Sequence, residues 1–405
     1  MRPDTLFQRI TDYANRADPY PLYAELRENG VTRQTDGGYL VGTYQEIAEL
    51  LHDPRISSDI GNRTDPDEDI LRRPDPPAFI GVDDPEHDRL RRITMRPFGP
   101  PHSPGRIDAL RADITRITDD LIGSFRDKDR IDVVDDFAYP LPVTVICRLL
   151  GVPFEDVPLI RAWTNAIIAS FDFAPEKDDR DHQERLRAGM EARIAMAEYL
   201  GGLADTRRDR PTDDMLSALV NDAGPDGRLT REELKSTATL LLIAGHETTV
   251  NLIANGALTL LRLPQALRLL RDRPELMPNA VEELLRYEPP VHMLPQRTPL
   301  TDIEVAGVTI PKGARLILML ASGNRDPLRF KDPDHFDPTR EDNQHFGFGS
   351  GVHNCFGAPL ARVEAQIALS ALVPHLAGLR PAEDPPPYRR SALLRGPRHL
   401  VIERA

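Results

Sequence analysis

The segment FGFGSGVHNCFG, residues 346–357, places one of the chain's two cysteines in a loop rich in glycine. Glycine loses the most backbone entropy on folding and packs nothing, so four glycines within eleven residues indicate a sharp turn or a close approach to another group. The next segment, FGAPLARVEAQIALSALVPHL, has the periodicity of an amphipathic helix, with Pro359 suited to its first turn. Cys355 therefore lies just before a predicted helix N-terminus.

That position favours a thiolate, because the free N–H groups and the dipole of a helix N-terminus stabilise an anion. A cysteine nucleophile with His353 as its base is one alternative, but two residues on a tight loop are a poor Cys–His pair. Zinc is another, and it would need more ligands than His345, His353 and Cys355 comfortably supply. An axial thiolate on heme iron fits this segment best.

A second segment stands out, LTREELKSTATLLLIAGHETTVNLIANGALTLLRL at 229–263, which contains no proline. Thr230 and Glu233 form a capping-box signature, and Pro264 marks the expected end, so we predict one continuous helix about 50 Å long. Its middle, AGHETT at 244–249, is polar among apolar neighbours. A solvent-facing stripe is the alternative, but the apolar flanks favour a functional segment, since buried polar groups need partners.

These segments together resemble the cytochrome P450 family. Residues 348–357 match its heme-binding loop, F-G-x-G-x-H-x-C-x-G, at every fixed position, and residues 244–249 resemble its oxygen-activation motif. The other matching motifs are E-x-x-R at Glu283 to Arg286, H-x-x-x-R at His87 and Arg91 as in bacterial members, NRDP at 324–327 and FDPTR at 336–340. The resemblance runs in family order from about residue 18 to the C-terminus.

The resemblance implies the P450 fold, which is mainly α with a smaller β portion. A long central helix and the helix of the cysteine loop would hold the heme between them, in a single domain covering residues 1–405. Hydrophobic periodicity agrees, because helical patterns dominate and strand-like stretches are confined to 39–44 and 303–319, with a turn at Pro311 to Gly313.

The resemblance also implies the role of each candidate site residue. Cys355 would be the metal ligand, bound to the iron of heme b. The other cofactor-binding candidates are the propionate donors His87, Arg91, Arg297 and His353, and the heme-lining residues Ala244, Gly245, Phe348 and Gly349.

Glu247 and Thr248 are the catalytic candidates. A Thr248 hydroxyl can hold a water by hydrogen bonds, and Glu247 can relay protons from solvent. Glu283 and Arg286 would form a buried structural ion pair, joined by Arg340. His246 receives no catalytic role.

Composition limits the partners. A net charge of −13 argues against nucleic acid, and neither a signal-peptide stretch nor a membrane-length apolar run is found, so we expect a cytoplasmic monomer. Cys147, in an apolar run, is expected to be a buried structural thiol. No flavin or iron–sulfur segment is evident, so electrons would come from a ferredoxin and its reductase. Arg92, Arg96 and Arg362 are expected to form a basic docking patch.

The expected reaction is the insertion of one oxygen atom from O2 into a neutral, hydrophobic molecule such as a steroid, terpenoid, polyketide or aromatic natural product. Charged side chains are scarce among the residues at pocket positions: Ile70, Leu71, Phe79, Ile167, Ile168, Phe171, Ala244, Val291, His292, Met293, Leu294, Leu393 and Leu394. Two alternatives are a peroxide-driven peroxygenase, which the Glu247–Thr248 pair disfavours, and a heme-free activator protein, which the intact cysteine loop disfavours.

Overall fold

A computed structural model describes residues 5–65, 76–99, 103, 105–125, 128–171 and 180–404. These residues are mainly helical, as predicted, with three small sheets. By their internal contacts they fall into two compact units. The first unit comprises residues 1–56, 114–141 and 248–405, and the second comprises residues 57–113 and 142–247. The expected single domain, 1–405, stays a prediction.

The described helices are α1 (Leu6–Thr11), α2 (Tyr20–Asn29), α3 (Tyr44–His52), α4 (Glu86–Phe98), α5 (Gly105–Phe125), α6 (Pro140–Leu150), α7 (Val157–Ala169), α8 (Arg180–Asp209), α9 (Met215–Asn221), α10 (Arg231–Ala244), α11 (Glu247–Arg262), α12 (Pro264–Asp272), α13 (Met277–Tyr287), α14 (Leu320–Gly323) and α15 (Ala358–Leu376). The described strands are β1 (Thr32–Arg33), β2 (Tyr39–Val41), β3 (Ile56–Ser57), β4 (Arg130–Asp132), β5 (Leu294–Pro299), β6 (Ile303–Val305), β7 (Val308–Ile310), β8 (Leu316–Leu318), β9 (Leu379–Pro381) and β10 (Val401–Arg404).

The first unit is built on a five-stranded sheet in the order β1-β2-β8-β5-β3. Its inner strand β8 pairs in parallel with β2 and antiparallel with β5, and all three of its residues are buried. Leu316 and Leu318 pack in a core with Ile47 of α3 and Phe346, the first residue of the cysteine segment. The sheet core and the start of the cysteine segment therefore share one hydrophobic cluster.

The predicted pair Glu283–Arg286 is buried in α13 of the same unit. Arg286 donates to both carboxylate oxygens, at 2.7 and 2.8 Å, and both side chains are fully buried. Arg340 joins them through its Nε, 3.1 Å from Glu283 Oε2. The remaining Arg286 donors reach the carbonyls of Asn324, Pro333 and His335. The pair thus clamps α13 to the chain segments that precede the cysteine loop, as the sequence predicts.

The second unit is helical, and its longest helix is α8, which packs against α7, α9 and α10. The buried Lys235 of α10 reaches Glu198 of α8 at 2.7 Å, so its ammonium is compensated. The predicted capping box at the start of α10 is present, with the Thr230 and Glu233 side chains each accepting from the other's backbone N–H.

The long helix predicted at 229–263 is interrupted, so that expectation is wrong. α10 ends at Ala244 and α11 begins at Glu247, with a turn at Gly245 and His246. The imidazole Nδ1 of His246 lies 2.8 Å from the Leu242 carbonyl oxygen, and because a carbonyl only accepts, Nδ1 is the donor. A side chain thus caps a carbonyl at the end of α10. The C-terminal end of the predicted helix agrees with the structure, since α11 ends at Arg262, before Pro264.

The strand-like stretch 303–319 forms three strands. The predicted turn at Pro311 to Gly313 separates β7 from β8, and Gly313 takes a positive φ of 76° there. A second turn, at Ala306 and Gly307, separates β6 from β7 and was not expected. No described helix has both the length and the apolar character needed to cross a membrane.

Candidate functional site

The cysteine loop lies between the sheet core and α15 in the first unit. Gly349 and Gly351 both adopt positive φ, 65° and 71°, which L side chains rarely take. These turns let the Cys355 backbone N–H donate to the Phe348 carbonyl at 2.9 Å, so the loop doubles back on itself. Cys355 is exposed in the described structure, three residues before α15 begins. The glycines of this segment therefore serve the sharp turns that the sequence indicates.

The residue two positions after Cys355 presents no side chain to the thiol. A Cβ added at Gly357 would lie 4.0 Å from the Cys355 Sγ, at ordinary van der Waals distance. The Phe348 ring of the same loop packs against Arg362, whose guanidinium lies 4.5 Å from the ring centroid. An accessible sulfur, a helix N-terminus and a neighbouring position without a side chain suit an axial thiolate on heme iron.

Arg362 is anchored by a carboxylate that the sequence did not single out. It binds Glu282 of α13 at 2.7 and 2.9 Å, and His345 lies 3.2 Å from the same carboxylate. Partial burial opposes ionisation, but the hydrogen bonds from His345 and Arg362 outweigh it and lower the pKa of Glu282 to about 2. Glu282 therefore ties α13 to α15 and to His345, the residue just before the cysteine segment.

Asn324 also holds the cysteine segment in place, and the sequence did not predict this role. Its side-chain oxygen accepts from the Phe346 backbone N–H at 2.7 Å, and its amide nitrogen donates to the Leu285 carbonyl at 3.3 Å. Asn324 opens the N-R-D-P motif, so the motif was noticed but the role of its first residue was not. This amide fixes the entry of the cysteine segment against α13.

The other first-unit candidates lie on three different elements. Arg297 is on β5, where it pairs with Leu316 of β8, and its guanidinium reaches the Gln296 carbonyl at 2.7 Å. His353 ends the short helical turn at 351–353 and is half-buried. Thr248 is on the first turn of α11 and is also half-buried.

In the second unit, His87 and Arg91 lie one turn apart on α4. His87 is buried, with Nδ1 3.2 Å from the Asp84 carboxylate, and Arg91 lies 6.0 Å from the centroid of the Phe79 ring. Because Asp84 fixes Nδ1, the opposite ring nitrogen, Nε2, is the atom directed away from that carboxylate. The spacing that the sequence predicts thus places both donors on one face of the helix.

The remaining candidates of the second unit surround the break between α10 and α11. Ala244 is exposed, and Gly245 is half-buried. A Cβ at Gly245 would meet the Leu241 carbonyl oxygen at 2.6 Å and Ile146 Cδ1 at 2.7 Å, so only glycine fits without rearrangement. Glu247 is 1% exposed, which gives this acid an internal position rather than the solvent-facing one a surface relay would have.

The expected basic docking patch is wrong, because each of its arginines faces carboxylates. Arg92 binds Asp88 at 2.9 Å and Asp226 at 3.0 Å, and Arg96 binds Asp222 and Asp226. In the first unit, Arg362 binds Glu282. Local charge is therefore compensated at all three positions.

The residues expected to line a substrate pocket differ in how far they are buried. Ile70 and Leu71 lie outside the described residues. Phe79, Ile167, Ile168, Met293 and Leu394 are buried apolar side chains, and Val291 forms an isolated bridge with Leu394. His292 is fully buried, with Nδ1 2.7 Å from the Tyr23 hydroxyl, and burial lowers the pKa of its imidazole well below the usual range. His292 is thus a neutral member of a buried hydrogen bond.

Comparison with known proteins agrees with this geometry. The family model described as "Cytochrome P450" matches residues 40–403. The chain is 39% identical to vitamin D(3) 25-hydroxylase of Pseudonocardia autotrophica, over 94% of this chain and 92% of that protein. It is 35% identical to 6-deoxyerythronolide B hydroxylase of Saccharopolyspora erythraea, over 95% and 96%. The crystal structure of ligand-free CYP164A2 of Mycobacterium smegmatis superposes with a TM-score of 0.88 at 37% identity, over 98% and 99%.

The fold and the cysteine loop define a heme-thiolate oxidoreductase. The chain belongs to the cytochrome P450 family, as a monooxygenase of the bacterial type. Its cofactor is heme b, and the predicted recognition and fold class are confirmed.

Proposed function

We propose that the protein inserts one oxygen atom from O2 into a neutral, hydrophobic organic molecule, with electrons delivered by separate proteins. The reaction would consume one substrate C–H bond, one O2, two electrons and two protons, and it would form one hydroxylated product and one water. The observation that carries the proposal is the exposed Cys355 thiol in its glycine-turned loop at the start of α15. Bound there, heme supplies the activation of O2, and the protein supplies the ligand, the orientation and the protons.

Cys355 would bind the iron as a thiolate, with the free N–H groups at the start of α15 stabilising its charge. His87 and Arg91 on α4, and Arg297 and His353 in the first unit, would donate to the two heme propionates. Cationic and N–H donors make strong hydrogen bonds with carboxylates, so these residues would fix the orientation of the cofactor. Phe348, Gly349, Ala244 and Gly245 would line its faces.

Thr248 and Glu247 would control proton delivery. The Thr248 hydroxyl both accepts and donates, so it can hold a water and pass on its proton. Glu247 is the adjacent acid at the start of α11, and it would restore the proton that this water gives up. The buried position of Glu247 supports the proposal, because it would keep bulk water from delivering protons out of sequence.

We further propose a ferredoxin and its reductase as the electron donors, and a monomeric, cytoplasmic enzyme. Neither Cys147 nor Cys355 is in a disulfide, which suits a reducing compartment. Because Arg92, Arg96 and Arg362 are paired with carboxylates, these three charges would contribute little to docking.

The substrate proposed is a bulky, uncharged molecule of the steroid, terpenoid, polyketide or aromatic classes. The apolar character of Phe79, Ile167, Ile168, Met293 and Leu394 supports it. The relatives named for 6-deoxyerythronolide B and for vitamin D(3) fit the same description. Binding that displaces water from the iron would change its spin state, so a spectral-shift screen of neutral natural products should give hits, whereas anionic ligands of similar size should not.

Replacement of Thr248 by alanine tests the proton-delivery role. With saturating substrate and the same electron donors, Thr248→Ala should oxidise NAD(P)H but release hydrogen peroxide in place of much of the product. Thr249→Ala is the matched control, since the neighbouring threonine is buried at 3% exposure and has no proposed proton role. Unchanged product per NAD(P)H in a well-folded Thr248→Ala enzyme would contradict the role given to this hydroxyl.

A further inference from the structure

An ion pair packs against the cysteine loop, and the proposed reaction gives it no part. Arg362 lies in the second turn of α15, where its Nε and Nη2 hold the two carboxylate oxygens of Glu282 at 2.7 and 2.9 Å. Two parallel hydrogen bonds between a guanidinium and a carboxylate fix the orientation of both groups as well as their distance. The position of the Arg362 charge is therefore set by α13, which carries Glu282.

His345 holds the same carboxylate from the chain segment that leads into the loop. Its Nδ1 lies 3.0 Å from the Gly347 backbone nitrogen, and because a backbone N–H only donates, Nδ1 accepts and carries no proton. The ring proton is then on Nε2, which lies 3.2 Å from Glu282 Oε2 and donates to it. His345 is thus neutral, and the net charge of the cluster comes from Glu282 and Arg362 alone.

The Arg362 guanidinium reaches the loop that carries the cysteine. It lies 4.5 Å from the centroid of the Phe348 ring, and the Phe348 carbonyl accepts the Cys355 backbone N–H at 2.9 Å. Hydrogen bonding to Glu282 is the chief cause that raises the pKa of Arg362, and the charge of the Cys355 thiolate acts in the same direction. The guanidinium is therefore close enough to the sulfur for the two charges to interact.

A charge beside an axial ligand changes the reduction potential of the iron that the ligand holds. A positive charge near a thiolate stabilises the extra electron of the reduced iron, so it raises the potential, and a negative charge lowers it. Arg362 packs directly on a residue of the cysteine loop, whereas Glu282 is joined to that loop through Arg362 and His345. The two charges should therefore act on the sulfur with opposite signs.

We propose that the Glu282–Arg362 pair sets the reduction potential of the bound heme: the Arg362 charge beside the Cys355 thiolate raises the potential, and Glu282 limits that increase. Both are positioning residues, because they act through the ligand and do not touch the substrate. The proposal rests on the proposed ligation of iron by Cys355. It gives Arg362 a function that its pairing with a carboxylate adjusts and does not remove.

A redox titration of the substrate-free holoenzyme at pH 7 tests the role of each charge. Arg362→Met and Arg362→Gln both remove the positive charge, one keeping an apolar stem and the other a hydrogen-bond donor to Glu282, so both should lower the heme potential. Arg362→Lys keeps the charge and should stay closer to the wild type. Glu282→Gln keeps an acceptor for Arg362 and removes the negative charge, so it should raise the potential.

The double variant Glu282→Gln/Arg362→Met separates charge from structural damage. It has the net charge of the wild type, so its potential should return toward the wild-type value, whereas damage to the loop would add up. Arg380→Met and Glu403→Gln are the matched controls, because they change the same charges in a more exposed pair between β9 and β10 and should leave the potential unchanged. Shifts of the same sign in Arg362→Met and Glu282→Gln, or no shift in either, would overturn the proposal.

The spectrum of the reduced, CO-bound protein distinguishes this proposal from the ligation on which it rests. The wild type and every variant of the pair should show the red-shifted Soret band of thiolate-ligated heme. If the wild type lacks that band, ligation by Cys355 is wrong and the role of the pair is wrong with it. If the band is present and the potentials do not follow the charges, only the role of the pair is wrong.

Discussion

At the scale of single residues, the two cysteines show how environment decides chemistry. Burial raises the pKa of the Cys147 thiol to about 12, so this side chain acts as a small apolar group in α6. Cys355 is exposed before a helix N-terminus, where a thiolate is stabilised. The sequence predicts the burial of Cys147 correctly because this residue lies in a continuous apolar run, whereas Cys355 lies among glycines.

The ionised Glu282 carboxylate should stabilise the protein at neutral pH. Its folded pKa is depressed, so the stabilisation is present above the unfolded value of about 4.3 and is lost as pH falls toward about 2. Glu282→Gln should therefore cost about 1–3 kcal/mol at pH 7, and chemical denaturation should show this difference shrinking below pH 4. Glu403→Gln, which breaks the more exposed pair with Arg380, should cost under about 1 kcal/mol. Equal losses in the free energy of unfolding for the two variants at pH 7 would contradict the stabilising role given to the Glu282 carboxylate.

At the scale of elements, the sequence predicted those whose signals are local. Pro359 and the apolar stripe located α15, and Thr230 with Glu233 located the start of α10. The break at Gly245 and His246 was not predicted, because the helical period of the sequence continues through it. A glycine in the middle of a helix costs only about 1 kcal/mol relative to alanine, so it does not by itself predict a break. The sequence also did not predict that His292 is buried or that carboxylates pair with Arg92, Arg96 and Arg362. These features depend on residues far away in sequence.

The break between α10 and α11 should not tolerate a side chain. Gly245→Ala places a Cβ 2.6 Å from the Leu241 carbonyl oxygen and 2.7 Å from Ile146 Cδ1, so we expect a loss of about 1–3 kcal/mol in the free energy of unfolding. Gly202→Ala in α8 is the control, because nothing lies within 4 Å of its added Cβ, and it should be neutral or stabilising by up to about 1 kcal/mol. If denaturant unfolding gave equal stabilities for the two variants, the close packing at Gly245 would be refuted.

The buried Glu283–Arg286 pair should be costly to break from one side. Glu283→Gln leaves a fully buried guanidinium with an uncharged partner, and Arg286→Met leaves the carboxylate with only Arg340 as its cationic partner. Each should cost about 3–5 kcal/mol by thermal unfolding and lower heme retention. The double variant Glu283→Met/Arg286→Met should recover part of that loss, because both buried charges of the pair are gone and Arg340 keeps its hydrogen bonds to the Lys331 and His335 carbonyls. Additive losses in the double variant would count against this pairing.

At the scale of the whole molecule, the sequence located the family through spaced motifs, and the site residues that the same motifs name stay a prediction. Cys355, Phe348, Gly349, His353, Arg297 and Thr248 lie in the first unit, and His87, Arg91, Ala244, Gly245 and Glu247 lie in the second. No single stretch of sequence could reveal Asn324 or Glu282, because each matters through a contact between separate elements. A net charge of −13 argues against a nucleic-acid partner, but it does not predict which arginines pair with carboxylates.

The central claim is that Cys355 binds heme iron as a thiolate, and the spectrum of the reduced, CO-bound protein tests it most directly. The wild type and Cys147→Ala should both show the strongly red-shifted Soret band of thiolate-ligated heme, because Cys147 is buried in α6 and burial raises the pKa of its thiol to about 12. Cys355→Ala should lose that band. A wild-type Soret band at the unshifted position, or a red-shifted band that survives in Cys355→Ala, would contradict the account.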